Sequence, residues 1–430
     1  MDKQLNILVD GFNLALKKGS GIKTYGMTLL DAYQKLGHKV SVLTDNQYVT
    51  GENALLDEVN LFDQDEVRLH PWLNHKWVRN LRAGSYVLRK RKAHQVVPNI
   101  VEPDPENYLS KVGGEKYAFI ENIPDVFHMA NRMFAITKRL TKIKPSQKPD
   151  VFHLTTPWPV RIPGVKTVIT IHDLIPLKVP FTTLDFKKYF YYLFKQAAES
   201  ADLILAVSAH TKKDIIEIYG VPEEKIKVTY QSYRQSAPEI KQQDEAVYLQ
   251  SQKLTPQKYI LFVGNIEPKK NIKQLIQAMA YVKKGYKLAV VGRKAWMHES
   301  QLKGLKNFLK KEDYVFLDYV PEYELGMLYK NATCLVMPSL YEGFGLPVLE
   351  AMQYDCPVIC SNKSSLPEVA GDAAVYIDPY QFGEIRDAIN DLIEHPEKRQ
   401  DMIKKGRERV EFFSPDNYSK RLVNAYEGLV

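Results

Sequence analysis

The chain has 430 residues, 45% apolar and 26% charged, with no long biased tract. This excludes a disordered or fibrous protein, and no run of about 20 apolar residues is present to span a bilayer as a helix. The formal charge of +8 favours anionic partners such as phosphate, acidic lipid or nucleic acid, without choosing among them.

Cys334, Cys356 and Cys360 are the only cysteines. If Cys-Pro-Val-Ile-Cys is a strand, its two ends lie about 13 Å apart, too far to bridge. No neighbouring His or Cys completes a zinc spacing. Reduced core thiols in a cytosolic protein are expected, and the start of the chain reads as a first strand, not a secretory leader.

In chain order, "NILVDG" (6–11) is the first predicted strand. The loop "KKGSGIKTYG" (17–26) follows, where Gly19 and Gly21 let backbone amides approach an anion or an acceptor. It completes neither a dinucleotide fingerprint, since Thr24 replaces the third glycine, nor a Walker loop. A helical pattern, "TYGMTLLDAYQKLG", closes on Gly37 before the strand "KVSVLTD" (39–45).

Residues 46–150 fit the strand–helix alternation poorly and are expected to be an insertion. Asp63-Gln-Asp65 mimics a metal-binding Asp-x-Asp but sits in a polar stretch and reads as a solvated loop. The run His75–Gln95 carries Lys76, Arg79, Arg82, Arg89, Lys90, Arg91 and Lys92 with no acid, and Trp77, Leu81 and Leu88 can share one helical face. That pattern suits an anionic membrane surface, at about 1 kcal/mol per basic residue near the headgroups. A solvated helix or loop is the plainer alternative, and Gly84 weakens the helix. No nucleic-acid-binding module accompanies the charges.

The alternation resumes with "DVFHL" (150–154), "KTVITIHD" (166–173) and "LILAVS" (203–208), after which Ser208 or Thr211 can cap a helix. "RQSAPEIKQQDEAVYLQSQKLTPQ" then shows no apolar period and reads as a linker. A second series follows: "YILFVG" (259–264), "KLAVVG" (287–292), "VFLDYV" (315–320), "TCLVMPS" (333–339), "PVICS" (357–361) and "AAVYID" (373–378). Near-continuous apolar strands alternating with helices predict parallel sheets covered on both faces, hence two α/β lobes, each Rossmann-like, facing a cleft. Ligands bind beyond the carboxyl ends of such strands.

Three stretches at strand ends carry chemistry. His172 can donate to a sugar hydroxyl or phosphate, with Asp173 orienting its ring, although a lone His-Asp pair is more often structural. In "YILFVGNIEPKKN", Lys269 and Lys270 stand before Asn271, an N-cap for the next helix, and either lysine can neutralise a diphosphate. In "YEGFGLPVLEAM", glycines 343 and 345 permit a tight turn, and a helix starting at Pro347 aims free amides at an anion. Glu342 and Glu350 flank that turn, either to grip sugar hydroxyls or simply to favour the helix N-terminus.

The spacing Glu342-Gly-Phe-Gly-Leu-Pro-Val-Leu-Glu350 resembles the Glu-x7-Glu signature of retaining family 4 glycosyltransferases of the GT-B fold. "PVICSNKSSLPEVAGDAAVYIDP" and "FSPDNYSKRLVNAYEGL" are similar to the same family, so the resemblance covers nearly the whole chain except 46–150. It implies an N-terminal acceptor lobe at 1–240, a linker at 241–256, a nucleotide-sugar lobe at 257–411, and a final helix (412–430) returning to the first lobe. It further implies that Glu350 binds the ribose, Lys270 the diphosphate, Glu342 the sugar ring, and His172 the sugar across the cleft. Backbone of Phe344, Gly345 and Leu346 would contact sugar or phosphate, with the Gly21 loop nearby. Asn265 replaces an arginine common in the family, and Lys269 can compensate.

The expected activity is retaining transfer of a hexose from a nucleotide diphosphate sugar to a saccharide acceptor, in surface polysaccharide synthesis. GDP-mannose is the first expectation for the donor and a UDP-hexose the next. A lipid-linked acceptor fits the basic segment. Gly19, Trp77, Arg79, Arg82, Arg89 and Lys90 would then face the acceptor or the membrane, with the enzyme peripheral on the inner face of the cell membrane. No metal or other cofactor and no nucleic-acid partner are expected, and the sequence leaves the oligomeric state open. Two rivals remain: a UDP-N-acetylglucosamine epimerase of the same architecture, and a membrane-surface binding protein with a degenerate transferase core.

Overall fold

The structure, a computed structural model, describes residues 4–15, 21–49, 51–62, 93–97, 101, 119–233, 242–296 and 298–429. The first lobe contributes strands β1 (Asn6–Asp10), β2 (Lys39–Thr44), β3 (His94–Val96), β4 (Phe119–Asn122), β5 (Thr141–Lys142), β6 (Val151–Leu154), β7 (Val160–Arg161), β8 (Lys166–Ile171), β9 (Leu203–Ala206) and β10 (Ile226–Val228). Eight of them form one sheet in the order β10-β9-β8-β6-β1-β2-β4-β3, while β5 and β7 pair separately. All neighbours in the large sheet are parallel except β3, which runs antiparallel to β4.

The second lobe holds β11 (Tyr259–Val263), β12 (Lys287–Val291), β13 (Tyr314–Leu317), β14 (Cys334–Met337), β15 (Val358–Ser361) and β16 (Ala374–Ile377), in the order β13-β12-β11-β14-β15-β16, all parallel. β9 and β14 are buried along their whole length, as strands covered on both faces must be. The one imidazole in β6, His153, is buried because its ring nitrogens meet the Tyr33 hydroxyl at 2.6 Å and the Thr170 hydroxyl at 2.8 Å. In each lobe the strand order reverses about the first strand, between β1 and β6 and between β11 and β14. The crevices at these two reversals are where a ligand fits.

Two expectations are corrected. Residues 46–150 are not wholly an insertion: β4 pairs parallel with β2, and the helix Val126–Thr137 buries Phe127, Ala130 and Phe134 in the first-lobe core. The segment read as a linker carries the helix Gln242–Ser251. Its buried positions 245 and 249, with half-buried 248, have helical spacing, but one is Glu245, paired with Lys330 and with Asn331 at 3.1 Å. A glutamate in the buried stripe hides the apolar period.

The last helix, Pro415–Tyr426, packs on the helix Gly21–Lys35. Tyr426 bonds Tyr33 and Asp416 pairs with Lys35, and the Ser232 hydroxyl donates to the Phe413 carbonyl at 2.7 Å. All three cysteines are buried free thiols. Among the described residues no helix is long and apolar enough to cross a membrane.

Candidate active site

The second-lobe side comes from two strand ends. β11 leads through Gly264 into a turn, Pro268–Lys270, and β14 leads through residues 338–345 into the helix Leu346–Gln353. The Leu340 N–H donates to the Lys269 carbonyl at 2.8 Å. The Asn271 amide donates to the carbonyls of Pro338 (3.1 Å) and Pro379 (2.6 Å). Asn271 therefore ties three loops together, with φ 53°, and its side chain does not make the expected N-cap bond.

Ser365 Oγ bonds the carbonyls of Glu342 (2.9 Å) and Phe344 (2.8 Å), and the Glu342 N–H donates to Ser364 Oγ at 2.8 Å. Gly345 turns the chain at φ 111°, where an added Cβ would lie 2.6 Å from Leu366 Cδ2, so only glycine fits. The N–H groups of Phe344, Gly345 and Leu346 then donate to no protein group among the described residues. Unfilled amides at a helix N-terminus form an anion cradle.

Beside them lies a buried ion pair, Lys270 Nζ to Glu342 Oε1 at 2.8 Å. Burial pushes the Glu342 carboxyl up, but the ammonium groups of Lys270 and Lys269 outweigh it and hold the acid below its ordinary range. Burial pulls Lys269 down, and the carboxylates of Glu342, Asp173 and Glu267 more than reverse this, leaving it above an ordinary lysine. Lys269 thus stays charged. Glu350 is the opposite case: burial raises it, and the Tyr329 hydroxyl, donating at 2.9 Å, opposes that only in part.

On the first-lobe side, Asp10 at the end of β1 accepts from the Thr155 N–H and from the Thr155 hydroxyl (3.0 Å). The Thr155 carbonyl accepts from His172 Nε2 at 2.8 Å, and Gln231 Nε2 donates to His172 Nδ1 at 3.1 Å. Tyr25 stands edge-on to the imidazole, centroids 4.8 Å apart. Burial lowers the His172 pKa, consistent with a neutral ring whose Nε2 carries the proton. Burial also lifts Asp10 to about 7 against the bonds from Thr155.

The lobes meet directly. A Cβ on Gly343 would lie 2.0 Å from the His172 carbonyl oxygen. The Thr211 hydroxyl lies 3.1 Å from that oxygen and 3.4 Å from the Gly343 carbonyl. Tyr341 bonds Asp214, and the Glu368 carboxylate accepts from the N–H groups of Ala209 (2.6 Å) and His210 (3.2 Å), capping a first-lobe helix from the second lobe. An added Cβ on Gly21 would lie 3.6 Å from Leu346 Cδ1.

Two family descriptions match the chain: glycosyl transferases group 1 over residues 244–409 and Glycosyltransferase Family 4 over residues 103–232. The chain is 32% identical over 267 residues to the O-antigen chain mannosyltransferase B of Escherichia coli, covering 61% of this chain and 70% of that protein. It is 31% identical over 256 residues to the O-antigen chain mannosyltransferase RfbU of Salmonella typhimurium, covering 60% and 68%. The chain belongs to the group 1, family 4 glycosyltransferases. The sucrose-phosphate synthase of Thermosynechococcus elongatus shares its GT-B fold, with a TM-score of 0.67 at 16% identity over 99% of both chains. WaaG, a glycosyltransferase involved in lipopolysaccharide biosynthesis, gives 0.60 at 14% over 98% of this chain and 99% of its own.

In this glycosyltransferase the sequence-predicted residues Glu342, Lys269, Lys270, Phe344, Gly345, Leu346, Gly21 and His172 lie close to one another where the two lobes meet. Phe344 offers only backbone, since its ring is buried against Phe413 at 5.4 Å. Asn265 is exposed on the turn before Lys269. Glu350 sits one turn inside the helix, held by Tyr329. Asp173 does not orient the His172 ring: its carboxylate accepts from the Ile175 N–H at 3.0 Å, while Thr155 and Gln231 hold the imidazole. Gly19, Trp77, Arg79, Arg82, Arg89, Lys90 and the Asp63–Asp65 pair lie outside the described residues. Sequence reasoning missed Asp10, Thr155, Gln231 and Glu368. Only Glu368, after Pro367 at a helix start, carried a local signal. Among the described residues no group of three His, Cys, Asp or Glu is placed to hold a metal ion.

Proposed function

We propose that this enzyme transfers a hexose, with retention, from a nucleotide diphosphate sugar to a saccharide acceptor in surface polysaccharide synthesis. The observation that carries the reading is the cradle of unfilled amides at Phe344–Leu346 beside the buried Lys270–Glu342 pair. A departing nucleoside diphosphate needs fixed positive charge in a water-poor site. Two ammonium groups and a helix N-terminus supply it, so the reading needs no resident metal. Glu342 holds the sugar from the second lobe, Glu350 the ribose, and His172 lines the opposite wall. Lobe closure excludes water and limits hydrolysis.

Mannose is the leading candidate for the transferred sugar, with GDP-mannose as donor, because the relatives named above are mannosyltransferases. A UDP-hexose is next. The reading includes a lipid-linked acceptor and work at the inner face of the cell membrane, supported by the basic, acid-free run at residues 75–95.

A thermal-shift panel of GDP-, UDP- and ADP-sugars tests the donor, since a ligand that binds only the native state raises its melting temperature. One nucleotide should stand out, and Glu342→Ala should abolish transfer. Nucleoside diphosphate released only when acceptor is present distinguishes transfer from epimerisation. A chain that binds none of the panel ends the reading.

A further inference from the structure

β6 and β8 each bury a polar side chain in the middle of the first-lobe sheet, His153 and Thr170. These two join tyrosines from two helices. The Tyr25 hydroxyl lies 2.7 Å from Thr170 Oγ1, which lies 2.8 Å from His153 Nε2. His153 Nδ1 lies 2.6 Å from the Tyr33 hydroxyl, and that hydroxyl bonds Tyr426. Tyr25 and Tyr33 belong to the helix Gly21–Lys35, and Tyr426 to the last helix. All five side chains are buried. Burial pulls the His153 pKa down to about 3, with the neighbouring His172 adding to it. The ring is therefore neutral, one nitrogen donating and the other accepting. Each hydroxyl likewise gives one hydrogen and can take another, so the row orders as a unit.

One end of the row stops at the candidate site. The Tyr25 ring stands perpendicular to the His172 imidazole, at 90° and 4.8 Å between centroids. The other end stops at a helix whose chain arrives from the second lobe through the helix Pro396–Phe412. A second tie converges on the same ring. Ser232 donates to the Phe413 carbonyl, just before the last helix, and its neighbour Gln231 donates to His172 Nδ1. The last helix thus reaches the imidazole by two routes. Stability alone does not call for the row, because apolar groups of the same shape would serve a core about as well. What the hydrogen bonds add is a fixed geometry.

We propose that Tyr25 and Thr170 are positioning residues for His172, and that the last helix sets the imidazole through Tyr426, Tyr33 and His153. The inference rests on the transferase reading for what His172 faces. With the last helix seated, the row holds Tyr25, and Tyr25 holds the ring against the crevice. A segment chained to the second lobe thereby aligns a group on the first. A plain packing role would fix the helix but leave the surroundings of the imidazole unchanged.

Carbon and nitrogen NMR of the histidine-labelled full chain reads the ring directly, with the His172 signals identified by their loss in His172→Ala. Thr170→Val breaks the row at its centre with little change of shape, and Tyr426→Phe removes only its far hydroxyl. Both should move the His172 signals. With the donor selected by the thermal-shift panel, Thr170→Val should lower kcat about tenfold and Tyr426→Phe about threefold, donor KM staying within about twofold. Thr170→Ser keeps the hydroxyl and should restore both readouts. Urea unfolding shows which variants are folded. The assignment is overturned if the His172 signals of the folded variants match the wild type, or if their kcat does. A chain that transfers no sugar, but whose His172 signals still respond to these variants, keeps the row and ends the transferase reading instead.

Discussion

The second lobe builds its side of the crevice from two short stretches, 264–271 and 338–346, with loop backbone latched by Ser364, Ser365 and Asn271. The first lobe draws Asp10, Thr155, His172 and Gln231 from four separate strand ends and joins them side chain to backbone to side chain. A phosphate-binding surface made of amides needs a fixed local turn, and a fixed turn constrains neighbouring residues in sequence. A chain of hydrogen bonds across strand ends needs only that each partner arrive, so its members are scattered. The second lobe is therefore built as a rigid receptor, and the first as a network that sets one imidazole.

Lys270→Ala should have the largest effect. It strips the cation from a buried carboxylate, and turnover with the preferred donor should fall by about 10³-fold or more. Stability should drop by about 3–5 kcal/mol, as when a buried pair loses one member; initial rates and urea unfolding measure the two. A loss under tenfold would mean that the rigid side does not carry the leaving group. Gly343→Ala comes next. Its Cβ would stand 2.0 Å from the His172 carbonyl oxygen, so the lobes must part, and a misplacement of about 1 Å is worth roughly 10² in kcat. Donor affinity should change far less than kcat, because the amide cradle lies wholly in the second lobe.

Gln231→Leu probes the network side and should cost less. It leaves His172 Nδ1 without its donor, at about 1–3 kcal/mol of stability, with roughly tenfold lower turnover read as a kcat effect. If Gln231→Leu proved as damaging as Lys270→Ala, the contrast between the lobes would fail. Asp10→Asn should move turnover least and instead reshape the pH–stability curve. Burial raises the folded carboxyl to about 7 from an ordinary 3.8, so the folded state holds its proton more tightly. Stability from this group is greatest below the unfolded value, declines as pH rises toward about 7, and is flat above. The variant should lose that decline, measurable as melting temperature between pH 4 and 8.

The same contrast explains what the sequence disclosed. The strands of the second lobe were legible because "CLVM" and "YILFV" are unbroken apolar runs. Its site was legible because Glu342, Gly345 and Pro347 lie together on the turn that uses them. β4 was not legible, since its "FIEN" buries two polar residues. Glu121 is satisfied by the Ser146 N–H and hydroxyl, and Asn122 by Thr44, Asn46 and Val49, all remote in sequence. The partners of His172 were hidden for the same reason: Asp173 is its neighbour in the chain, but Thr155 and Gln231 are its neighbours in space.

The Glu368 clasp has a kinetic meaning. It joins the lobes through two peptide amides at the start of a helix, and an exposed pair of this kind recovers equivalent contacts from water when it separates. Parting the lobes is thus nearly free at this point, while closing them restores a defined alignment.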